Sequence, residues 1–190
     1  MPAQGPTEIR EYYDRLSKIY SLLYGPEQAL KHEKALARME ERKYDVFVDI
    51  GCGDGVLLSK VRDRADLRVG LDFSLGMLEK ARHVLQGSGN LVRGDAGHLP
   101  FRDGVADCVA SISLSERGNI EALASEAARI SRGDATILLS VIHLDSPPPK
   151  FAGLKLVDGS LLSARETLFV LAKSGRPMLK NEWRRIDEGR

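Results

Sequence analysis

The sequence predicts an α/β fold: a mostly parallel, doubly wound sheet of seven strands with a helical cap in front of it. Three observations predict it. Short apolar runs alternate with helix-like stretches through the middle of the chain, the pattern of βαβ units. VDIGCGDG (48–55) joins one such run to a helix through alternating glycines. Two closely spaced strand candidates near the C-terminus suit an antiparallel hairpin closing one sheet edge.

The elements follow in order. Residues 7–23 read as an amphipathic helix: Thr7 can cap it, and Ile9, Tyr12, Tyr13, Leu16, Ile19, Tyr20 and Leu23 recur at helical spacing. Gly25 and Pro26 are expected to stop it, with a second helix from about Glu27 to Glu41. The period then changes. VFVDI (46–50), RVGLD (68–72), NLVRG (90–94), DCVAS (107–111) and TILLSV (136–141) read as buried parallel strands, with helices expected over 55–64, 75–86 and 119–131. SPPPK (146–150) interrupts the alternation, and KLVDG (155–159) and TLFVLA (167–172) supply the hairpin. The expected sheet is Rossmann-like. It implies a helical cap over 1–44, a ligand-binding domain over 45–173 and a basic tail over 174–190.

Composition narrows the class. A chain of 190 residues accommodates one such domain and no second full core. No apolar run approaches the ~20 residues that cross a bilayer, and MPAQGPTEIREYYDRL lacks the basic start and apolar stretch of a signal peptide. The formal net charge of +1 favours neither nucleic acid nor acidic partners. Cys52 and Cys108 show no metal-ligand spacing, so no metal is expected. A reduced, cytoplasmic location follows as the default expectation.

The glycine loop carries the chemistry. Gly51 and Gly53 match the first two positions of a dinucleotide-type GxGxxG, but Val56 stands where the third glycine belongs, and no GKS or GKT of a P-loop follows. The pattern is instead DxGxGxG, with Asp49 two residues ahead of Gly51. A carboxylate there would repel a pyrophosphate and suits a ligand with a cationic amino-acid end. Asp72 ends the second strand, where an acid accepts hydrogen bonds from ribose hydroxyls. Asp95 follows the third strand, where an acceptor can take the amine of an adenine. The three acids thus fall at the carboxyl ends of three strands, the edge at which open α/β sheets bind ligands.

VDIGCGDG, GLDFSLGMLEKAR and GDAGHLPF resemble the first three motifs of the class I S-adenosylmethionine-dependent methyltransferases, in particular the type 11 group that includes ubiquinone and menaquinone C-methyltransferases. The resemblance covers about residues 45–141, and YYDRLSKIYSLLYG more loosely. It implies S-adenosylmethionine as cofactor, with Asp49, Gly51 and Gly53 on its methionine end and Cys52 among them in the loop. It implies Asp72 on the ribose, Phe73 and Met77 lining the adenine, and Asp95 on the adenine amine with Ala96 beside it. Cys52, Phe73 and Met77 equally suit plain core positions.

The acceptor end is less legible. Groups able to take a proton would follow the fourth strand in SISLSERGN (111–119), where Ser113, Glu116 and Arg117 are candidates, with His98 and His143 on neighbouring loops. SISL stands where methylators of amide or adenine nitrogen carry an NPPY-like tetrapeptide, and the LHH-like segment of other relatives is absent. The stretch 142–154 is short for the helix that normally helps roof the site. Two arrangements remain open: a small-molecule pocket lidded by the N-terminal helices, or an open site acting on RNA or protein. For the second, the tail carries Lys173, Arg176, Lys180, Arg184, Arg185 and Arg190 against Glu182, Asp187 and Glu188. Some relatives acting on tRNA, rRNA or translation factors need a small zinc-binding activator subunit paired along the third-strand edge, where NLVRGDAGHLPF lies. A non-catalytic module that binds S-adenosylmethionine is the alternative from another class.

Overall fold

A computed structural model describes residues 6–116, 120–142, 151 and 153–173. The order is α1 (Pro6–Leu16), α2 (Tyr20–Leu36), β1 (Tyr44–Ile50), α3 (Val56–Lys60), β2 (Ala65–Asp72), α4 (Leu75–Leu85), β3 (Asn90–Arg93), β4 (Ala106–Glu116), α5 (Ile120–Ile130), β5 (Ser131–Ile142), β6 (Leu154–Ser163) and β7 (Glu166–Lys173). The strands form one seven-stranded sheet in the order β3-β2-β1-β4-β5-β7-β6. Pairings from β3 through β5 are parallel, and β7 runs antiparallel to both β5 and β6. The expected sheet and hairpin are both present.

Alternating strand residues feed two cores, as the two-residue period of a strand requires. Phe47, Cys108 and Leu138 face the layer that includes Ala35 of α2, Leu57 and Leu58 of α3 and Leu78 of α4. Their neighbours Val48, Val109 and Leu139 face Ile120, Leu123, Ala124 and Ala127 of α5. Both faces of the central strands are therefore covered, which explains their unbroken apolar runs.

Three expectations are corrected. Gly25 and Pro26 do not end a helix: α2 runs from Tyr20 to Leu36 with Pro26 inside it, and the break falls at Ser17–Ile19. A proline inside a helix removes one backbone bond and costs about 3 kcal/mol. The far half of α2 and the turn after it offset this cost by docking on the sheet, where Ala35 is buried, Lys34 Nζ donates to the Leu162 carbonyl at 2.9 Å and Arg38, past the helix end, pairs with Asp158 at 2.5 Å. The expected helix over 55–64 is only five residues long, because the backbone leaves helical geometry at Val61. The fourth strand does not stop at Ser111: β4 continues to Glu116 through a register shift between Ser111 and Ser115, with Ser113 at φ +59°. The expected tail, 174–190, lies outside the described residues. No helix among the described residues is long and apolar enough to cross a membrane.

Candidate functional site

The glycine loop leaves the carboxyl end of β1 with Gly51, Gly53 and Gly55 all at positive φ, a region that costs other residues energy. Part of the need for glycine lies inside the protein. A Cβ at Gly51 would come within 2.6 Å of a Leu114 methyl, and one at Gly55 within 2.9 Å of the Ala81 Cβ. At Gly53 the nearest neighbour is the Met77 Cε, at 3.2 Å.

Beneath the loop lies Asp49, 2% exposed. Burial, then the negative charges of Asp72 and Asp54, push its carboxyl up to about 8. A cation set beside it would favour the ionised form. Asp72, at the end of β2, accepts from the Gly53 amide at 3.0 Å and from the Ser74 amide at 2.9 Å. Burial raises its carboxyl even so, while these amide bonds lower it. Asp72 thus ties the glycine loop to the start of α4.

The other expected residues divide. Phe73 is half-buried, with the Tyr13 ring against it at 5.8 Å between centroids. Met77 is buried under the loop. Cys52 turns inward: its Sγ would lie 2.7 Å from a Cβ at Gly70, and burial holds its thiol protonated. Asp95, past β3, is exposed and accepts from the Gly97 amide at 2.8 Å, with Ala96 half-buried beside it. His98 is exposed, its Nδ1 3.8 Å from Asp95. Ser113 lies in β4. Arg117, His143 and the Glu116 side chain lie outside the described residues, as does most of the stretch 142–154.

Several residues not singled out in the sequence join this edge. Asp14 of α1 accepts from Ser74 Oγ at 2.5 Å and from the Gly76 amide at 3.1 Å, so α1 is held against the start of α4. Ser21 Oγ donates to Asp54 in the glycine loop at 3.1 Å. Tyr20 is partly buried in the company of Tyr13, Asp54 and Asp72, and burial keeps its hydroxyl protonated. A polar cluster of Lys31, Ser113, Ser140 and Glu166 spans α2, β4, β5 and the start of β7. Asp54 was visible within the GDG of the loop, but nothing in the sequence links Lys31 to Glu166.

A family model described as a methyltransferase domain matches residues 48–139, the span from the end of β1 to β5. The demethylmenaquinone methyltransferase of Corynebacterium kroppenstedtii is 33% identical over 130 residues, which are 66% of this chain and 56% of that protein. Residues 48–139 thus match the methyltransferase-domain family of type 11, and the sheet order is that of the class I S-adenosylmethionine-dependent methyltransferases it resembles. It spans about half the length of the curated relatives it matches. Among solved structures, it is similar to the methyltransferase chain of the complex with the Haloferax volcanii Trm112 methyltransferase activator. That likeness has 27% identity, a TM-score of 0.60, and covers 68% of this chain and 59% of that one. DhpI, in its SAH complex, aligns over 87% of this chain and 95% of its own with a TM-score of 0.67. At 13% identity it speaks for the fold alone.

Proposed function

We propose that this chain transfers a methyl group from S-adenosylmethionine to an acceptor nucleophile. The observation that carries this reading is the joining of Asp72 to the glycine loop above the buried Asp49, at the carboxyl edge of the sheet. Asp49 pairs with the ammonium of the methionine end, which Gly51, Cys52 and Gly53 border. Asp72 takes the ribose hydroxyls with lone pairs its amide donors leave free. Phe73 and Met77 flank the adenine, and Asp95, with Ala96, accepts from its amine. The bound donor supplies an electrophilic methyl, so the protein must mainly align the acceptor and exclude water. Two free, buried cysteines suit a reducing compartment, and we place the reaction in the cytoplasm.

A second reading, favoured by the likeness to a chain solved with a methyltransferase activator, adds a partner. β3 is a short strand at the edge of the sheet, paired among the described residues with β2, and an activator strand would extend the sheet there. The acceptor is then RNA or protein.

The test is transfer of labelled methyl from S-adenosylmethionine into small-molecule, protein and RNA fractions, with and without a small zinc-binding activator. Label in any fraction, lost in Asp72→Ala, is the expected result. Binding of the donor with no label in any fraction, activator present, would make the chain a binding module and overturn the reading.

A further inference from the structure

Among the described residues, the cluster of Lys31, Ser113, Ser140 and Glu166 is a group of buried and half-buried polar and charged side chains at the carboxyl edge that the cofactor reading leaves unused. Ser113 stands where β4 departs from regular pairing. It is held at φ +59°, a conformation that costs a serine of order 1 kcal/mol and that persists mainly where the surroundings enforce it. The enforcement is visible: the Ser113 amide donates to Ser140 Oγ at 2.7 Å, and Ser140 Oγ donates to Glu166 at 2.5 Å. Leu114, the next residue, lies against Gly51, so this bend abuts the cofactor loop.

The hydrogen bonds connect Ser113 to solvent through a closed cluster, in which Lys31 Nζ also donates directly to Ser113 Oγ at 3.2 Å. The Ser113 hydroxyl lies 2.9 and 3.0 Å from the two Glu166 oxygens. Glu166, 1% exposed, accepts from Lys31 Nζ at 2.6 Å. The same Nζ donates to Glu27 at 2.7 Å, and that carboxylate is 55% exposed. The chain thus begins at a half-buried hydroxyl on the cofactor edge and ends in solvent. Beside it, His32 Nδ1 is buried without a hydrogen-bond partner among the described residues.

We propose that Ser113 contacts the methyl acceptor and that Glu166, Lys31 and Glu27 carry away the proton its nucleophile loses. This rests on the methyltransferase reading and deepens it: the acceptor attacks through a hydroxyl or amine. As that oxygen or nitrogen bonds to the methyl carbon, the carbon–sulfur bond breaks and its electron pair stays on sulfur, leaving S-adenosylhomocysteine. The nucleophile's proton passes to Ser113 Oγ while the serine's own proton moves to Glu166. Lys31 gives a proton to Glu27 and takes the one from Glu166, and Glu27 releases its proton to water. Every residue returns to its starting state. Glu166 and Lys31 are positioning and relay groups, and only Ser113 touches the acceptor.

The test uses the full chain, with catechol, phenol and a primary alkylamine as probe acceptors and labelled S-adenosylmethionine as donor. Wild-type protein is expected to methylate at least one probe on oxygen or nitrogen, with a solvent deuterium isotope effect on kcat. Glu166→Gln is expected to lower kcat about 10²- to 10⁴-fold, the usual worth of positioned proton transfer, with little change in KM. Its donor affinity should stay intact, and Glu166→Asp should restore part of the rate. Ser113→Gly relieves the backbone and removes the hydroxyl, so it should lose rate while keeping or raising the melting temperature. Donor binding with no probe methylated, methylation on carbon only, or equal kcat in Glu166→Gln and wild type would each overturn the proposal. Failure to bind the donor at all would instead overturn the methyltransferase reading.

Discussion

Asp49 carries the most specific consequence of the site at the scale of one residue. An aspartate ionises near 4 in an unfolded chain, whereas burial and its acidic neighbours hold this one protonated to about 8 in the fold. Between those values the folded state binds more protons, so stability falls as pH rises across the window. Thermal unfolding without ligand should show that fall, and Asp49→Asn should flatten it. A cation beside Asp49 reverses the preference. Donor binding at neutral pH should then release a proton, visible as binding heats that differ between buffers of different ionisation enthalpy. Asp72 makes a separate prediction. Its charge-assisted bonds are each worth about 1.5–3 kcal/mol, so Asp72→Ala should weaken donor binding about ten- to a hundred-fold or more. Gly55→Ala tests the loop itself. Positive φ and the contact with Ala81 should together cost about 2 kcal/mol in urea unfolding, ligand or no ligand.

The glycine loop and the three strand-end acids were legible in the sequence because local chemistry decides them. Positive φ asks for glycine, and a short apolar run ending in an acid marks a strand end at the site. The N-terminal elements were not legible in this way. Gly25 and Pro26 are strong local stop signals, yet docking of the far half of α2 overrides them, and those contacts are made with residues more than a hundred positions away. Separation in sequence likewise hid Glu166 from its partners on α2 and β4, the second of them 53 positions away. α1 is joined to the rest chiefly through α4, where Asp14 takes the Gly76 amide and the close approach of Ser17 requires glycine at 76. Asp14→Ala should therefore cost about 1 kcal/mol, as loss of a helix cap does, and speed hydrogen exchange in α1 while leaving β1 and β4 protected.

At the scale of the whole molecule, the sheet order puts the three acid-bearing strands side by side, β3-β2-β1, with β4 next to them. The glycine loop, the α1–α4 contact and the Lys31–Glu166 cluster all gather at one edge, although the chain reaches that edge from elements far apart in sequence. Strand count and alternation were enough to predict this architecture. The Lys31–Glu166 cluster was not predictable, because only the fold brings its residues together. The most direct measurement is calorimetric titration of the protein with S-adenosylmethionine, S-adenosylhomocysteine and NAD in parallel. Micromolar binding of both sulfur ligands, none of NAD, and loss of that binding in Asp72→Ala are the predicted results. Binding of NAD, or of neither sulfur ligand, would contradict the assignment of the site.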